Sequence, residues 1–202
     1  MKKILLAAAM LACTQSFAQQ QNIKSIEIGS DIPLQGVEMK TSAGTTTSLD
    51  KAKTAKGLLV MFSCNTCPYV VKSQARTKEM MTYAVKNGIG MVIVNSNEAK
   101  RGDEDSDNAM AAYAKEQGYK VPYVVDAKST LADAFGATRT PETFLFDANG
   151  KLVYKGAMED NPQSPAESKQ LFLKSAIDNM IAGKTIEPNS TKSIGCTIKR
   201  AM

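Results

Sequence analysis

The sequence predicts an α/β sandwich in which helices flank a central mixed β-sheet. Short apolar runs alternate with stretches of helical periodicity, and the alternation closes with two strands joined by a turn at residues 147–150. Strands that alternate with helices favour a parallel sheet, and a closing hairpin adds an antiparallel edge. The 202 residues contain no internal repeat and fit one domain.

The first predicted elements are a hairpin and a buried strand. Alternating stretches at residues 37–40 and 45–49 lie on either side of Gly44 and predict two paired strands. The continuous apolar run at 58–62 predicts a strand covered on both faces. A helix is expected over 68–85, ended by Asn87 and Gly88 as a C-cap would end it, and 89–94 predicts a second buried strand.

The rest of the chain continues this alternation. We expect a helix at 108–117, a strand at 121–125, a short helix at 129–135, strands at 143–146 and 151–154, and a last helix at 165–181. The predicted domain therefore covers residues 31–184. A flexible segment at 19–30 precedes it, and a polar tail at 185–202 carries Cys196.

The first 18 residues have the pattern of a secretory signal peptide. Lys2 and Lys3 precede an apolar stretch at residues 4–12, and Ser16 and Ala18 are the small residues that a signal peptidase reads. The apolar stretch is about half as long as the ~20 residues of a membrane-spanning helix. We expect an exported protein, periplasmic or secreted, with no integral membrane segment after cleavage. A lipoprotein anchored through Cys13 is the alternative.

Charge and composition exclude several classes of function. The formal net charge is +5, and the basic residues are scattered among acidic ones, so we expect no nucleic-acid partner. The absence of histidine removes the usual catalytic base and the commonest metal ligand. Three cysteines lie beyond Cys13, and an odd number in an exported protein leaves at least one thiol outside a simple intrachain pair.

The chemistry is expected at Cys64 and Cys67, which enclose Asn65 and Thr66 between a buried strand and a helix. A helix N-terminus favours a thiolate and lowers the pKa of a cysteine placed there. Cys64 is then the attacking nucleophile, and Cys67 attacks the mixed disulfide to release the product. The motif predicts a redox-active dithiol, and no cofactor or metal is expected.

Other interpretations of the cysteine pair fit the sequence less well than a redox-active dithiol. Structural zinc needs four ligands, which three cysteines without histidine do not supply. Covalent haem attachment requires histidine after the second cysteine, where Pro68 stands, and copper delivery would normally need a histidine as well. An inert structural disulfide is the plain alternative.

Six blocks of sequence follow one another along nearly the whole chain after the signal. They are residues 62–70, Asn95-Ser96-Asn97, Pro122-Tyr123, Thr140-Pro141 with residues 144–147, residues 151–156, and the tail at 193–199. Together these blocks resemble the peroxiredoxin-like branch of the redoxin family, the alkyl hydroperoxide reductase/thiol-specific antioxidant type.

The resemblance implies a thioredoxin fold with an N-terminal β-hairpin extension and a Cys64–Cys67 dithiol. It also implies a cis peptide bond before Pro141, which packs beside the sulfurs, so that the backbone of Thr140 pairs with an extended substrate strand. The expected partners are thiol- or disulfide-containing protein substrates and a redox partner that resets the dithiol.

The chain departs from the family pattern at informative positions. Members of this branch usually have histidine at the position of Thr66. Thioredoxins proper carry a buried aspartate in the strand before the motif, but the corresponding strand at 58–62 contains no acidic residue. In peroxiredoxins a threonine lies three residues before the peroxidatic cysteine, and Met61 takes that place here. Thiol peroxidase is therefore the runner-up to dithiol exchange, and a non-catalytic binding protein on the same fold is the third hypothesis.

Three weaker signals concern single residues. Cys196 is either a third redox thiol or a small buried residue that anchors the tail. Arg139 either favours the thiolate electrostatically or faces solvent. The acidic residues of the loop at 95–107, Asp105 among them, lack the spacing of a calcium site and are expected in a solvated loop.

Overall fold

A computed structural model describes residues 23–201, so the expected signal peptide and Cys13 lie outside the described residues. Among residues 23–201, no helix combines the length and the apolarity needed to cross a membrane. The strands are β1 (Met39–Lys40), β2 (Thr46–Thr47), β3 (Leu58–Ser63), β4 (Gly90–Asn95), β5 (Tyr123–Val125), β6 (Arg139–Thr140), β7 (Glu142–Phe146), β8 (Leu152–Gly156) and β9 (Cys196–Thr197). The α-helices are α1 (Leu49–Ala52), α2 (Pro68–Lys72), α3 (Gln74–Lys86), α4 (Asp107–Gln117), α5 (Thr130–Phe135) and α6 (Phe172–Ile181).

A five-stranded sheet in the order β5-β4-β3-β7-β8 forms the centre of the fold. Strands β3, β4 and β5 run parallel, whereas β7 pairs antiparallel with β3 and β8 antiparallel with β7. The predicted mixed sheet with an antiparallel edge is confirmed. The N-terminal hairpin is confirmed too, because Met39 of β1 pairs with Thr47 of β2.

Strand β3 carries side chains into two separate cores, one on each face of the sheet. Leu58, Val60 and Phe62 point to one face, and Leu59 and Met61 point to the other. All six residues of β3 and of β4 are buried. Burial on both faces explains why the sequence of each strand is an almost continuous apolar run. The loop that carries Cys64 and Cys67 therefore follows directly from a fully buried strand.

Edge-to-face aromatic pairs fill the core on the first face. The ring centroids of Phe62 and Phe135 are 5.3 Å apart, and those of Phe135 and Phe144 are 5.1 Å apart. Phe135 also meets Phe146 at 5.8 Å. Such pairs add to the stabilisation from burial, since the positive edge of one ring faces the negative face of another.

Two helices differ from their predicted bounds. The helix expected over 68–85 is divided at Ser73, whose backbone torsions of φ −87° and ψ 6° leave the helical region and separate α2 from α3. The helix expected from residue 165 begins only at Phe172, after a 3₁₀ turn at Pro165–Glu167. The polar residues at 167–170 offer no apolar face, whereas Leu173 and Ile177 of α6 are buried.

Residues 23–30, which belong to the segment expected to be flexible, are held against the domain. The backbone N–H of Ile26 donates to the carbonyl of Phe135 at 3.1 Å, and Lys155 Nζ donates to the carbonyl of Ile26 at 2.7 Å. Gly136 has φ +65°, and a Cβ there would lie 2.1 Å from the carbonyl oxygen of Lys24. Only glycine allows the backbones to come so close.

We predict that Phe135→Ala lowers the free energy of unfolding by about 3–5 kcal/mol, because it leaves a cavity among three aromatic rings. Val85→Ala is the matched control, since Val85 is 52% exposed on α3, and its effect should stay within about 0.5 kcal/mol. Urea unfolding of both variants in the same redox state measures this difference. Equal stability of the two variants would contradict the role given to the aromatic cluster.

Candidate active site

The cysteines of the predicted motif lie in the loop between β3 and α2. Cys67 is the N-cap residue of α2 and forms a disulfide with Cys196, 129 residues further on, with the two Cα atoms 6.0 Å apart. Cys64 is the cysteine outside this disulfide among residues 23–201. Cys64 and Cys67 pack with Val70, and the partly buried Cys196 joins them. The bonded pair therefore differs from the Cys64–Cys67 pair that the resemblance implies, although all three cysteines share one site.

Thr140 touches each of the three cysteines. Its hydroxyl lies 3.4 Å from Cys64 Sγ in a hydrogen bond, and its carbonyl oxygen lies 3.4 Å from Cys67 Sγ. Its backbone pairs with Cys196, because β6 and β9 form a short antiparallel ladder. The peptide bond between Thr140 and Pro141 is cis, in agreement with the resemblance. Thr140 is thus a residue that contacts all three cysteines of the site.

The expected lowering of the Cys64 pKa by the helix is wrong for this arrangement. Helix α2 begins at Pro68, so Cys64 lies outside its first turn. Burial raises the pKa of Cys64, the hydroxyl of Thr140 acts in the opposite direction, and the charge of Asp105 raises it further. The backbone N–H groups of Cys67 and Thr66 lower it by less. Cys64 is thus a buried thiol whose pKa lies above its ordinary value.

Asp105 is fully buried, so the expectation that it belongs to a solvated loop is wrong. Its Oδ1 accepts hydrogen bonds from the backbone N–H of Asn65 at 3.0 Å and from Asn95 Nδ2 at 2.7 Å. Its Oδ2 accepts from Asn97 Nδ2 at 2.9 Å. A buried carboxylate needs such donors to offset its lost hydration. A buried acid from the loop after β4 thus lies against the cysteine loop, whereas the strand before the motif contains none.

The side chain of Asn65 is held on both of its polar atoms. Tyr123 donates its hydroxyl to Asn65 Oδ1 at 2.8 Å, and Asn65 Nδ2 donates to the carbonyl of Glu104 at 2.8 Å. Arg101 closes the surrounding loop, because it donates to the carbonyls of Asp105 and Asn95, each at 2.8 Å. In contrast, Thr66 is exposed. The network fixes the backbone between the two cysteines.

The sequence alone indicates no functional role for Asp105, Asn95, Asn97 or Tyr123. Three of the four belong to the blocks Asn95-Ser96-Asn97 and Pro122-Tyr123 that carry the family resemblance. Polar residues at the ends of neighbouring strands were the available signal, because parallel strands bring such ends together at one edge of the sheet.

Arg139 faces solvent and contacts the tail rather than the Cys64 thiol. Its Nη1 donates to Thr197 Oγ1 at 3.0 Å and to the carbonyl of Gly195 at 3.4 Å. Of the two positions expected for Arg139, beside the thiolate or facing solvent, the structure therefore shows the solvent-facing one. Its hydrogen bonds help to hold β9 along β6.

A thiol beside a disulfide can carry out thiol–disulfide exchange without a cofactor, since the reacting groups are the sulfurs themselves. Among residues 23–201, no three side chains of the cysteine, aspartate or glutamate type come together in a group that could hold a metal ion. The reacting groups that the cluster itself supplies are its three sulfurs, and the Thr140 hydroxyl lies within hydrogen-bonding distance of Cys64.

The family model described as Redoxin matches residues 21–171, which include Cys64, Cys67 and Thr140. This chain belongs to the Redoxin family. The match covers about three quarters of the sequence and confirms the resemblance seen in its motifs. Membership supports a thiol-based oxidoreductase or peroxidase activity for this redoxin.

Individual relatives agree with the family match. The redoxin is 31% identical to a hypothetical protein, SMc02350, from Sinorhizobium meliloti 1021, with a TM-score of 0.78 over 88% of this chain and 97% of the other. It is 28% identical over 97 residues to the thiol-disulfide oxidoreductase ResA from Geobacillus thermodenitrificans, which is 48% of this chain and 52% of the relative. This redoxin thus spans about half the length of that curated relative.

A more distant structure shares the fold alone. Peroxidoxin BcpB from Mycobacterium tuberculosis is 16% identical, with a TM-score of 0.56 over 78% of this chain and 95% of the other. The thioredoxin-like architecture is therefore common to oxidoreductase and peroxiredoxin relatives of this redoxin. The architecture does not choose between their reactions.

We predict that Thr140→Val raises the pKa of Cys64 further, because the variant loses the hydroxyl that stabilises the thiolate. The alkylation rate of Cys64 should then rise only at higher pH than in the wild type, since the thiolate is the reacting form. Alkylation of the reduced proteins, followed by peptide mass mapping, gives this pH profile for Cys64 separately from Cys67 and Cys196. Thr138→Val is the control, and coincident profiles for all three proteins would contradict the assigned role of Thr140.

Proposed function

We propose that this redoxin is an exported thiol-disulfide oxidoreductase whose catalytic residues are Cys64 and Cys67. Its substrates are proteins or small molecules that carry thiols or disulfides, and a redox partner resets its dithiol. The observation that carries the proposal is the buried Cys64 thiol in the same cluster as the Cys67–Cys196 disulfide. An inert structural disulfide does not need a third cysteine beside it.

In the proposed reaction, the Cys64 thiolate attacks a substrate disulfide and forms a mixed disulfide, which releases one substrate thiol. The Cys67 thiolate then attacks the Cys64 sulfur, so that a Cys64–Cys67 disulfide forms and the second substrate thiol leaves. The substrate gains two electrons and the redoxin loses two. Asn65 and the Asp105 carboxylate support this step because they hold the backbone between the two sulfurs in place.

The sequence before Cys64 favours exchange over peroxide reduction as the main activity. In peroxiredoxins a threonine lies three residues before the peroxidatic cysteine, and Met61 takes that place here. The two cysteines that exchange requires are both present, at positions 64 and 67. Peroxide consumption is therefore included as an outcome of the test rather than as a second proposed function.

Export is supported by the N-terminal sequence and by the cysteine chemistry. Lys2, Lys3 and the apolar residues 4–12 precede the small residues Ser16 and Ala18. A disulfide such as Cys67–Cys196 persists in an oxidising compartment, whereas the cytosol keeps most thiols reduced.

We predict that Cys64→Ser and Cys67→Ser each lower protein-disulfide reduction by at least about a hundredfold, because each removes a sulfur from the covalent pathway. Insulin reduction with dithiothreitol as the electron donor measures this activity. Lys72→Ala, at the exposed end of α2, is the control and should react like the wild type.

Peroxide consumption is measured on the same proteins. Wild-type insulin reduction in both cysteine variants would refute the proposed function. Peroxide turnover that depends on Cys64 and exceeds disulfide reduction would replace it with thiol peroxidase.

We predict that the mature protein begins at Gln19 when the full sequence is expressed in a secreting bacterium. The intact mass and the N-terminal sequence of the exported protein check this. A mature chain that begins at a lipid-modified Cys13 would establish the lipoprotein alternative, and an uncleaved chain in the cytosol would refute export.

A further inference from the structure

Cys196 is the least buried of the three cysteines. Cys64 and Cys67 are 2% and 5% exposed, whereas Cys196 is only partly buried. The rate of thiol–disulfide exchange depends on access to the sulfur that is attacked. A small thiol that arrives from solvent therefore reaches the Cys196 end of the disulfide first.

The strand that carries Cys196 occupies the edge where an extended substrate was expected to bind. Residues 196–197 pair with Arg139 and Thr140, the backbone to which the resemblance assigns a substrate strand. A Cβ on Gly195 would lie 2.1 Å from the carbonyl oxygen of Thr140, so the two backbones are in close contact. A peptide adds to a sheet through unpaired main-chain groups, and the chain's own tail already uses this edge.

The tail stays in place by contacts that do not involve the disulfide. Ile198 is 3% exposed and belongs to the core on the first face of the sheet. The N–H of Lys199 donates to Asn97 Oδ1 at 2.8 Å, and its carbonyl accepts from Ala99 at 2.9 Å. Arg200 forms an ion pair with Asp133 at 2.7 Å. Opening of the Cys67–Cys196 bond therefore leaves Cys196 beside the other two cysteines.

We propose that Cys196 is a third catalytic thiol, through which small external thiols and disulfides exchange with the Cys64–Cys67 pair. This inference rests on the function proposed above and names one substrate class for it. That class is a low-molecular-weight thiol or disulfide, which needs no strand edge to bind. The anchored tail covers the edge that an extended protein strand would use, so a protein disulfide such as that of insulin would have to reach Cys64 without pairing to β6.

The external step starts from the reduced chain. The Cys196 thiolate attacks a small disulfide RSSR, so that a Cys196–SR bond forms and one thiolate RS⁻ leaves. The Cys67 thiolate then attacks the Cys196 sulfur, the Cys67–Cys196 bond forms, and the second RS⁻ leaves. Both RS⁻ groups take up protons. The small disulfide gains two electrons and the protein loses two.

The internal step moves the disulfide without net oxidation or reduction. Cys64 gives its proton to solvent, and its thiolate attacks the Cys67 sulfur. A Cys64–Cys67 bond forms while the Cys67–Cys196 bond breaks, and the electron pair leaves on the Cys196 sulfur, which takes up a proton. Cys67 is the common member of both disulfides.

Labelling of the oxidised wild-type chain tests the internal step without a substitution. The protein is incubated with iodoacetamide at neutral pH, and its peptides are mapped by mass spectrometry without reduction. The label is expected to accumulate on Cys196 together with a Cys64–Cys67 disulfide, because exchange frees the most accessible thiol. Label confined to Cys64, with Cys67–Cys196 intact, would overturn the internal step.

Glutathione as the small thiol tests the external step. Cys196→Ser should form the Cys64–Cys67 disulfide, and reduced glutathione should reduce it at least about tenfold more slowly than the wild-type disulfide, because both remaining sulfurs are buried. Lys192→Ala, exposed in the same tail, is the control and should keep the wild-type rate. Thermal unfolding by circular dichroism confirms that both variants are folded. A wild-type rate in Cys196→Ser would overturn the role of Cys196.

The outcomes separate this inference from the proposed function. Insulin reduction that is lost in Cys64→Ser and Cys67→Ser, with unchanged glutathione kinetics in Cys196→Ser, would leave the proposed function standing and remove Cys196 from it. Insulin reduction that survives in both of those variants would refute the proposed function itself.

Discussion

The candidate site depends on the contacts of one residue, Thr140. Its hydroxyl meets the Cys64 thiol, its carbonyl oxygen lies against the Cys67 sulfur, and its backbone pairs with Cys196. Thr140 ends the short strand β6 and is followed by buried Pro141, so its position is set by the strand pairing on one side and by the domain interior on the other. Cys64 and Cys67, which are close in sequence, and Cys196, which lies 129 residues beyond Cys67, meet at this residue.

A second constraint holds the loop that contains Cys64 and Cys67. The buried carboxylate of Asp105 accepts hydrogen bonds from the backbone of Asn65 and from the amides of Asn95 and Asn97. Removal of one partner from such a network leaves buried polar groups unpaired, which costs more free energy than a single surface hydrogen bond contributes. The same negative charge also raises the pKa of Cys64. The loop is thus held in place by a group that also disfavours the Cys64 thiolate.

The C-terminal tail belongs to the site as much as the cysteine loop does. Strand β9 covers the edge of β6, and the contacts of Ile198 and Lys199 fix the tail next to the sheet. A thioredoxin-like fold with that edge open could bind an extended polypeptide there. In this chain the tail pairs with that edge and places Cys196 beside the other two cysteines. Under our proposal, a substrate is then selected by its access to Cys196 rather than by strand pairing.

The sequence by itself determined the fold class and predicted thiol chemistry at Cys64 and Cys67. Periodicity located the two fully buried strands β3 and β4, and the spacing of Cys64 and Cys67 after the first of them indicated thiol–disulfide exchange, because these signals are local and each follows from a few neighbouring residues. The tertiary structure alone decided that Cys196 bonds to Cys67, that Asp105 is buried beneath the loop, and that burial raises the pKa of Cys64. These features depend on which distant segments share a sheet edge and on how much water remains around a side chain, and no short stretch of sequence encodes either.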